Sequence, residues 1–218
     1  MSGVGERLFK QGDHICAIYD DDEEQLTIAV SYIVEGIRCR ERCLYVADSA
    51  DDLNRFRIRL RAYGIDPDVA EANGSLVLRT TATAHLASGS FSSELMLSLL
   101  NEMVESALND GFVGLRTCGD MSWLLQQPDG ADDAIEYEAL LNQFFRGVRA
   151  AGMCQYDTRR LPPDLVHNGL ATHSSACVNG AHRHNPFYES RTCSAARGQH
   201  TSDLAWKIGE LRRATSIG

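Results

Sequence analysis

The sequence predicts an α/β domain of three layers, a mostly parallel sheet flanked by helices. Three observations lead there. From Gly12 to Asp48 the chain reads strand, acidic turn, amphipathic helix, strand, which is a βαβ unit. Beyond it, short apolar runs alternate with segments of helical period as far as Val178. Four of the predicted strands finish on an aspartate, at Tyr19-Asp20, Ala47-Asp48, Gly119-Asp120 and Tyr156-Asp157. In a parallel sheet those carboxyl ends lie along one rim, where ligands usually bind.

Residues 1–12 read as a short lead-in, and His14–Tyr19 as the first strand. Five consecutive carboxylates, Asp20 to Glu24, then open a helix whose Leu26, Ala29, Val30, Ile33, Val34 and Ile37 share one face. Gly36 and the RCRER run are expected to end it, and Cys43–Ala47 is the second strand. Asp51–Tyr63 is a helix with Leu53, Phe56 and Leu60 inward, stopped by Gly64. A helical turn over DPDVAEANG leads to the third strand, Ser75–Thr80. The small, polar stretch 81–93 reads as a loop long enough to cover a site. The stripe Leu95, Met96, Leu99, Leu100, Met103, Val104, Leu108 makes the next helix, ahead of a fourth strand at Phe112–Cys118 and the segment Gly119-Asp120-Met121-Ser122-Trp123. QQPDGADD reads as an exposed loop, and Tyr137, Leu141, Phe144, Phe145 and Val148 mark a further helix. Met153–Asp157 is the fifth strand, Leu161-Pro162-Pro163 heads a short helix, and Ser175–Val178 is the sixth strand. Residues 179–200 read as irregular. The division expected is one domain over 1–200 and a C-terminal helix over 201–218, with Leu204, Ile208 and Leu211 on one side, that either relays and docks or packs back on the domain.

The totals exclude several classes. At 218 residues, 44% hydrophobic and 23% charged, the chain suits one well-buried soluble domain. A net charge of −9 argues against nucleic-acid binding through a basic surface. No apolar run approaches the roughly 20 residues that span a bilayer, and the N-terminus lacks a signal-peptide core. Seven cysteines without regular spacing fit reduced thiols, so a cytoplasmic location is expected. The chain has two lysines, Lys10 and Lys207, and neither is followed by Ser or Thr, so it contains no phosphate-binding Walker A sequence.

The residues that could bind a ligand gather at the predicted rim. Asp48, Asp120 and Asp157, with Tyr19, Trp123 and Tyr156 beside them, suggest an acidic, aromatic pocket suited to an amine, a cation or a mostly apolar small molecule. The alternative is that each aspartate caps the helix after its strand. Arg116 is expected beside Asp120, paired to a rim carboxylate or holding an anionic group of a ligand. His14 and Cys16 point to one face of the first strand, and Cys118, Cys154 and His173 lie on or after neighbouring strands. These read as ligand-lining residues, as a soft-metal site or as small core side chains. Cys177, His182, His184 and Cys193 offer four more donors, at a spacing that matches no strong zinc pattern. No Ser-His-Asp order or GxSxG elbow occurs, so no catalysis is expected, and neither a cofactor nor a metal is called for.

At GDHICAIYDDDEEQ, VEGIRCRERCLYVAD, GLRTCGDMSW and CQYD-x3-LPPDL-x7-TH the chain resembles the MEDS domain, a sensory domain of methanogens and methylotrophs, over roughly Gly12 to Tyr188. That resemblance implies a fold like the RecA/KaiC ATPase core without its phosphate loop. It also implies a sensory role towards small, hydrocarbon-derived molecules and no established reaction. Related chains often join this domain to histidine-kinase-like or DNA-binding modules, and neither is legible in these 218 residues. The expectation is therefore a non-catalytic sensor that binds a small organic ligand at the strand ends and signals to a protein partner of kinase-like or anti-sigma type. A second copy of the chain is a further candidate partner. The alternatives are a degenerate ATPase fold kept as a docking module and, third, a metal-dependent enzyme.

Overall fold

The computed structural model describes residues 8–87, 89–126, 131–189 and 203–214, with side chains from Glu136 onward in the third of these stretches. The strands are β1 (His14–Tyr19), β2 (Arg42–Ala47), β3 (Leu76–Thr80), β4 (Leu115–Asp120), β5 (Ala150–Asp157), β6 (Ser175–Val178) and β7 (Ala181–His184). The helices are α1 (Asp22–Arg38), α2 (Ala50–Ala62), α3 (Pro67–Ala72), α4 (Ser93–Asn109), α5 (Ala131–Gly147), α6 (Pro163–Thr172) and α7 (Leu204–Arg213). They form one sheet in the order β3-β2-β4-β5-β1-β6-β7, parallel except for β7. The three-layer, mostly parallel α/β fold expected from the sequence is the fold observed.

The acidic turn has a local explanation. Asp21 caps α1, its carboxylate accepting the Glu24 amide at 2.7 Å. Asp22 pairs with Arg55 and Arg159, Glu23 pairs with Arg59, and Glu24 accepts the Asn179 amide at 2.8 Å. Three of the arginines that balance the turn thus come from α2 and from the segment after β5.

Strand alternation sorts the core into two halves. Ile15 and Ala17 of β1, Tyr45 of β2 and Cys118 of β4 pack under α1, α2 and α3. Cys16 and Ile18, Leu44 and Val46, Cys154 and Tyr156 pack under α4, α5, α6 and α7. The C-terminal helix α7 lies back on this second half through Leu204 and Leu211, both buried, and ties to it through Arg212–Asp20 at 2.7 Å and Lys207–His167 at 2.9 Å.

Three elements differ from the sequence expectation. Residues 181–184, read as irregular, form β7 along β6; AHRH has no apolar alternation because an antiparallel edge strand is paired on one side only. Gly36 does not end α1. It lies within the helix, where a Cβ would strike the Arg116 side chain and the Cys43 sulfur, so it admits the guanidinium beneath the helix. Trp123 lies on a 3₁₀ turn, Ser122–Gln126, that folds the GDMSW segment inward. Of the QQPDGADD stretch, residues 127–130 lie outside the described residues, and Ala131 already belongs to α5.

Candidate functional site

At the rim each strand-end aspartate is engaged by the protein itself. Asp20 pairs with Arg212, Asp48 with Arg160 at 2.9 Å, and Asp157 with Arg159 at 2.6 Å. Asp120 is buried and accepts from the Tyr19 hydroxyl at 3.2 Å, the Gln25 amide at 3.1 Å and the Ser122 backbone at 2.7 Å. Burial pushes the Asp120 carboxyl up, against the Ser122 hydrogen bonds. Tyr19 and Asp120 thus tie β1 to β4 across the intervening β5. An open depression of about 530 Å³ near this rim is lined by Asp20, Asp21, Glu23, Glu24, Thr27, Ile28, Asn179, Gly180 and Arg212.

Trp123 and Arg116 lie away from that rim. Trp123 is fully buried on the α4/α5 side, stacked on Phe91 at 4.2 Å between ring centroids and on His85 at 5.1 Å. Arg116 is not beside Asp120. It lies near the opposite end of β4, fully buried, with Nε donating to Glu41 at 2.5 Å and its other nitrogens donating to the carbonyls of Tyr32 (3.1 Å) and Phe9 (3.3 Å). Same-face residues 116 and 120 are four positions apart along an extended strand, roughly 13 Å, which is why they do not meet.

Inside the α5/α6 face, four side chains converge that the sequence keeps far apart. His14 starts β1, Cys154 lies on β5, Glu138 on α5 and His173 follows α6; all four are buried, with their ligand atoms within 4.8 Å of one another. Glu138 Oε2 is 3.2 Å from His14 Nε2 and 3.3 Å from His173 Nε2, and Cys154 Sγ is 3.5 Å from His14 Nε2. Tyr156 donates its hydroxyl to Glu138 Oε1 at 3.2 Å. Burial works against ionising Glu138, yet the imidazoles of His173 and His14 and the Tyr156 hydroxyl hold its pKa below the ordinary glutamate value. Burial, reinforced by His14, drives His173 down to about 3. Glycines make room for this packing: a Cβ at Gly152 would strike the Phe145 ring, and one at Gly169 the Tyr156 ring.

Next to this cluster is a cavity of about 30 Å³ between the sheet and helices α4 and α5. Leu44, Val46, Leu100, Met121, Leu141 and Cys154 are among its walls. His85 and Met96 also line it, and the same two residues line a groove of about 280 Å³ on the outer surface with Leu95 and Leu99. They are therefore the partition between interior and outside.

Among the residues expected to form the site, the structure brings together His14, Tyr156 and His173, with Cys16 on the adjacent strand position to Cys154. Tyr19, Asp48, Asp120 and Asp157 stay at the rim, while Arg116 and Trp123 belong to neither group. Glu138 was not singled out by sequence. Its signal was a carboxylate on the apolar face of a helix, three residues before Leu141 and seven before Phe145. Cys193, one of the tail donors, lies outside the described residues, and His182 accompanies the lead-in instead, 2.9 Å from the Leu8 carbonyl.

The profile of the family described as "MEthanogen/methylotroph, DcmR Sensory domain" matches residues 13–174, about three quarters of the chain. The chain belongs to the MEDS family. Its MEDS domain therefore comprises β1 to α6 and ends beside His173, so the histidine at each end of the matched span enters the buried cluster. The chain is 28% identical over 165 residues to the transcriptional repressor DcmR of Methylorubrum extorquens (strain DSM 6343 / CIP 106787 / DM4), covering 74% of this chain and 58% of that protein. It thus spans little more than half the length of that relative. The KaiC-like protein PH0186 of Pyrococcus horikoshii OT3 superposes with a TM-score of 0.56 at 15% identity, over 78% of this chain and 72% of that one, which is a likeness of fold. The MEDS domain has a RecA/KaiC-like fold and a sensory or regulatory role. No helix among the described residues is long and apolar enough to cross a membrane.

His85 makes the interior sensitive to acid. It is buried, its Nδ1 has no hydrogen-bond partner, and burial, opposed by Glu138, lowers its pKa from 6.5 to about 4. Between those values the unfolded chain holds a proton that the folded chain does not. Stability is therefore full above pH 6.5 and falls as the pH drops towards 4, by on the order of 2–3 kcal/mol from this group. Urea midpoints of wild type and His85→Phe at pH 7 and pH 4.5 should show the smaller acid loss in the variant.

Proposed function

We propose that this MEDS domain is a non-catalytic sensor of a very small, weakly polar organic molecule, and that the molecule sits in the cavity between the sheet and helices α4 and α5. The observation that carries this reading is the cavity itself. Its walls are almost wholly buried and mostly apolar, and its roughly 30 Å³ is about a fifth of the 150 Å³ that an apolar cavity offers benzene. As it stands it has room for little more than a water-sized molecule, so a molecule of one or two carbons enters by pushing its walls apart. Binding in the rim depression has less support, because the carboxylates there are matched to arginines or to hydrogen bonds of the protein.

The partition residues supply the output. A molecule passing between His85 and Met96 displaces the segment from Thr81 to Ala87 or the N-terminal half of α4, and the groove outside changes with it. A protein partner that reads Leu95 and Leu99, both exposed, then distinguishes filled from empty. Signalling of kinase or anti-sigma type fits this arrangement, as does a DNA-binding partner module.

Thermal unfolding of the full chain with dichloromethane, methanol, trimethylamine and Mg-ATP tests the proposal. The halomethane should raise the melting temperature saturably, by about 5–10 °C at a hundredfold excess over its Kd. Leu100→Phe, which fills the cavity, should abolish the shift. A rise with Mg-ATP at micromolar concentration, or a halomethane shift unchanged in Leu100→Phe, would contradict it.

A further inference from the structure

With Glu138 ionised, the buried cluster of His14, Glu138, Cys154 and His173 turns more acceptor atoms than protons towards its centre, an arrangement that a positive centre would satisfy. Asn142 donates its amide nitrogen to the carbonyls of Glu138 (3.1 Å) and Thr172 (2.7 Å), so its Oδ1, 3.2 Å from His14 Nδ1, must accept. His14 therefore carries a proton on Nδ1. His173 Nδ1 lies 2.6 Å from the Gly169 carbonyl and must donate to it. Both imidazoles thus spend their outward N–H and aim Nε2 at the same carboxylate oxygen. His173 Nε2 is fully buried and has no hydrogen-bond partner. A proton on His14 Nε2 would satisfy one imidazole and leave the other facing an acceptor. Protons on both would place two cations in rings whose centroids are 3.9 Å apart.

We propose that His14, Glu138, Cys154 and His173 bind one divalent metal ion of the zinc type. Three independent features support the assignment. The first is size. Bonds of about 2.0–2.1 Å to nitrogen and oxygen and about 2.3 Å to sulfur, at tetrahedral angles, set ligand atoms about 3.4 Å apart for N and O and about 3.6 Å apart where sulfur is one of the pair. Four of the six separations are 3.2 and 3.3 Å between Glu138 and the two imidazoles, 3.5 Å between Cys154 and His14, and 3.8 Å between Cys154 and Glu138, and all the ligand atoms lie within 4.8 Å of one another. The second is support. Each imidazole donates its other nitrogen to an oxygen of the protein, and Glu138 Oε1 receives the Tyr156 hydroxyl, which is how metal ligands are usually oriented.

The third is charge. When the ion enters, the Cys154 S–H bond breaks, the sulfur electron pair goes to the metal and one proton leaves to solvent. A dication with one carboxylate, one thiolate and two neutral imidazoles sums to zero, the charge a fully buried site tolerates best. Four protein ligands fill a tetrahedron, so the ion holds β1, β5, α5 and the end of α6 together rather than activating water. Cys154 also forms part of the cavity wall, but the metal assignment does not depend on what the cavity holds.

The test uses the reduced full-length chain, stripped of metal and titrated with cobalt(II), then with zinc. The expected result is one cobalt per chain, intense visible bands of a tetrahedral ion, near-ultraviolet thiolate-to-cobalt charge transfer, and displacement by one zinc. Cys154→Ser should lose the charge-transfer band and bind cobalt about 100-fold more weakly, and Glu138→Gln at least about tenfold more weakly. Cys39→Ser, a half-buried thiol outside the cluster, should behave as wild type. A folded wild type that takes up no stoichiometric cobalt overturns the proposal. So does charge transfer that survives in Cys154→Ser, or an affinity unchanged in Glu138→Gln, the variant that decides the matter if Cys154→Ser does not fold.

Discussion

Arg116→Met is expected to lower the unfolding free energy by about 3–5 kcal/mol, the usual cost of removing one partner from a buried ion pair. Arg116 and Glu41 are both fully buried and 2.5 Å apart, so the variant leaves a carboxylate with its principal cation gone. The carbonyls of Phe9 and Tyr32 lose their donor as well, and an unpaired buried acceptor adds its own desolvation cost. The guanidinium also lies over the Tyr32 ring at 4.7 Å, which methionine replaces only partly. Because Arg116 fastens the lead-in to α1 and β4 on the sheet face away from the cavity, the loss should appear in the urea midpoint with no change in cobalt stoichiometry. A variant as stable as wild type that no longer binds a ligand would restore Arg116 to the binding role expected of it from sequence.

Trp123→Ala should cost a similar amount, about 3–5 kcal/mol, for a large aromatic removed from a packed interior. Trp123 is stacked against Phe91 and His85, and its indole N–H has no hydrogen-bond partner, so truncation strands no partner and the loss is of packing alone. Stability in the absence of any ligand should therefore fall sharply. If ligand affinity fell while intrinsic stability held, Trp123 would be a pocket wall in the sense first expected.

The fold was legible because its signals are local. The helical period of α1 and α4, the β-branched and apolar strands and the strand-end aspartates each declare themselves within a dozen residues. The site was not, because its chemistry is assembled across the chain: His14 and Cys154 meet from positions 140 residues apart. His14, Cys154 and His173 each read individually as core side chains or as donors without a partner. Only Glu138 on an apolar helix face marked where they meet. The rim shows the converse. Four aspartates at strand ends look like a pocket in the sequence, which does not show that three of them meet Arg159, Arg160 and Arg212 and the fourth meets Tyr19, Gln25 and Ser122.

The measurement that bears most directly on where this MEDS domain senses is methionine-methyl NMR during titration with dichloromethane. Met96 and Met121 line the cavity, whereas Met103 packs on the same core without reaching it. The sensor reading predicts saturable shifts at Met96 and Met121 with Met103 unmoved. Both methyls unmoved at dichloromethane concentrations that raise the melting temperature saturably would place the ligand elsewhere and contradict it.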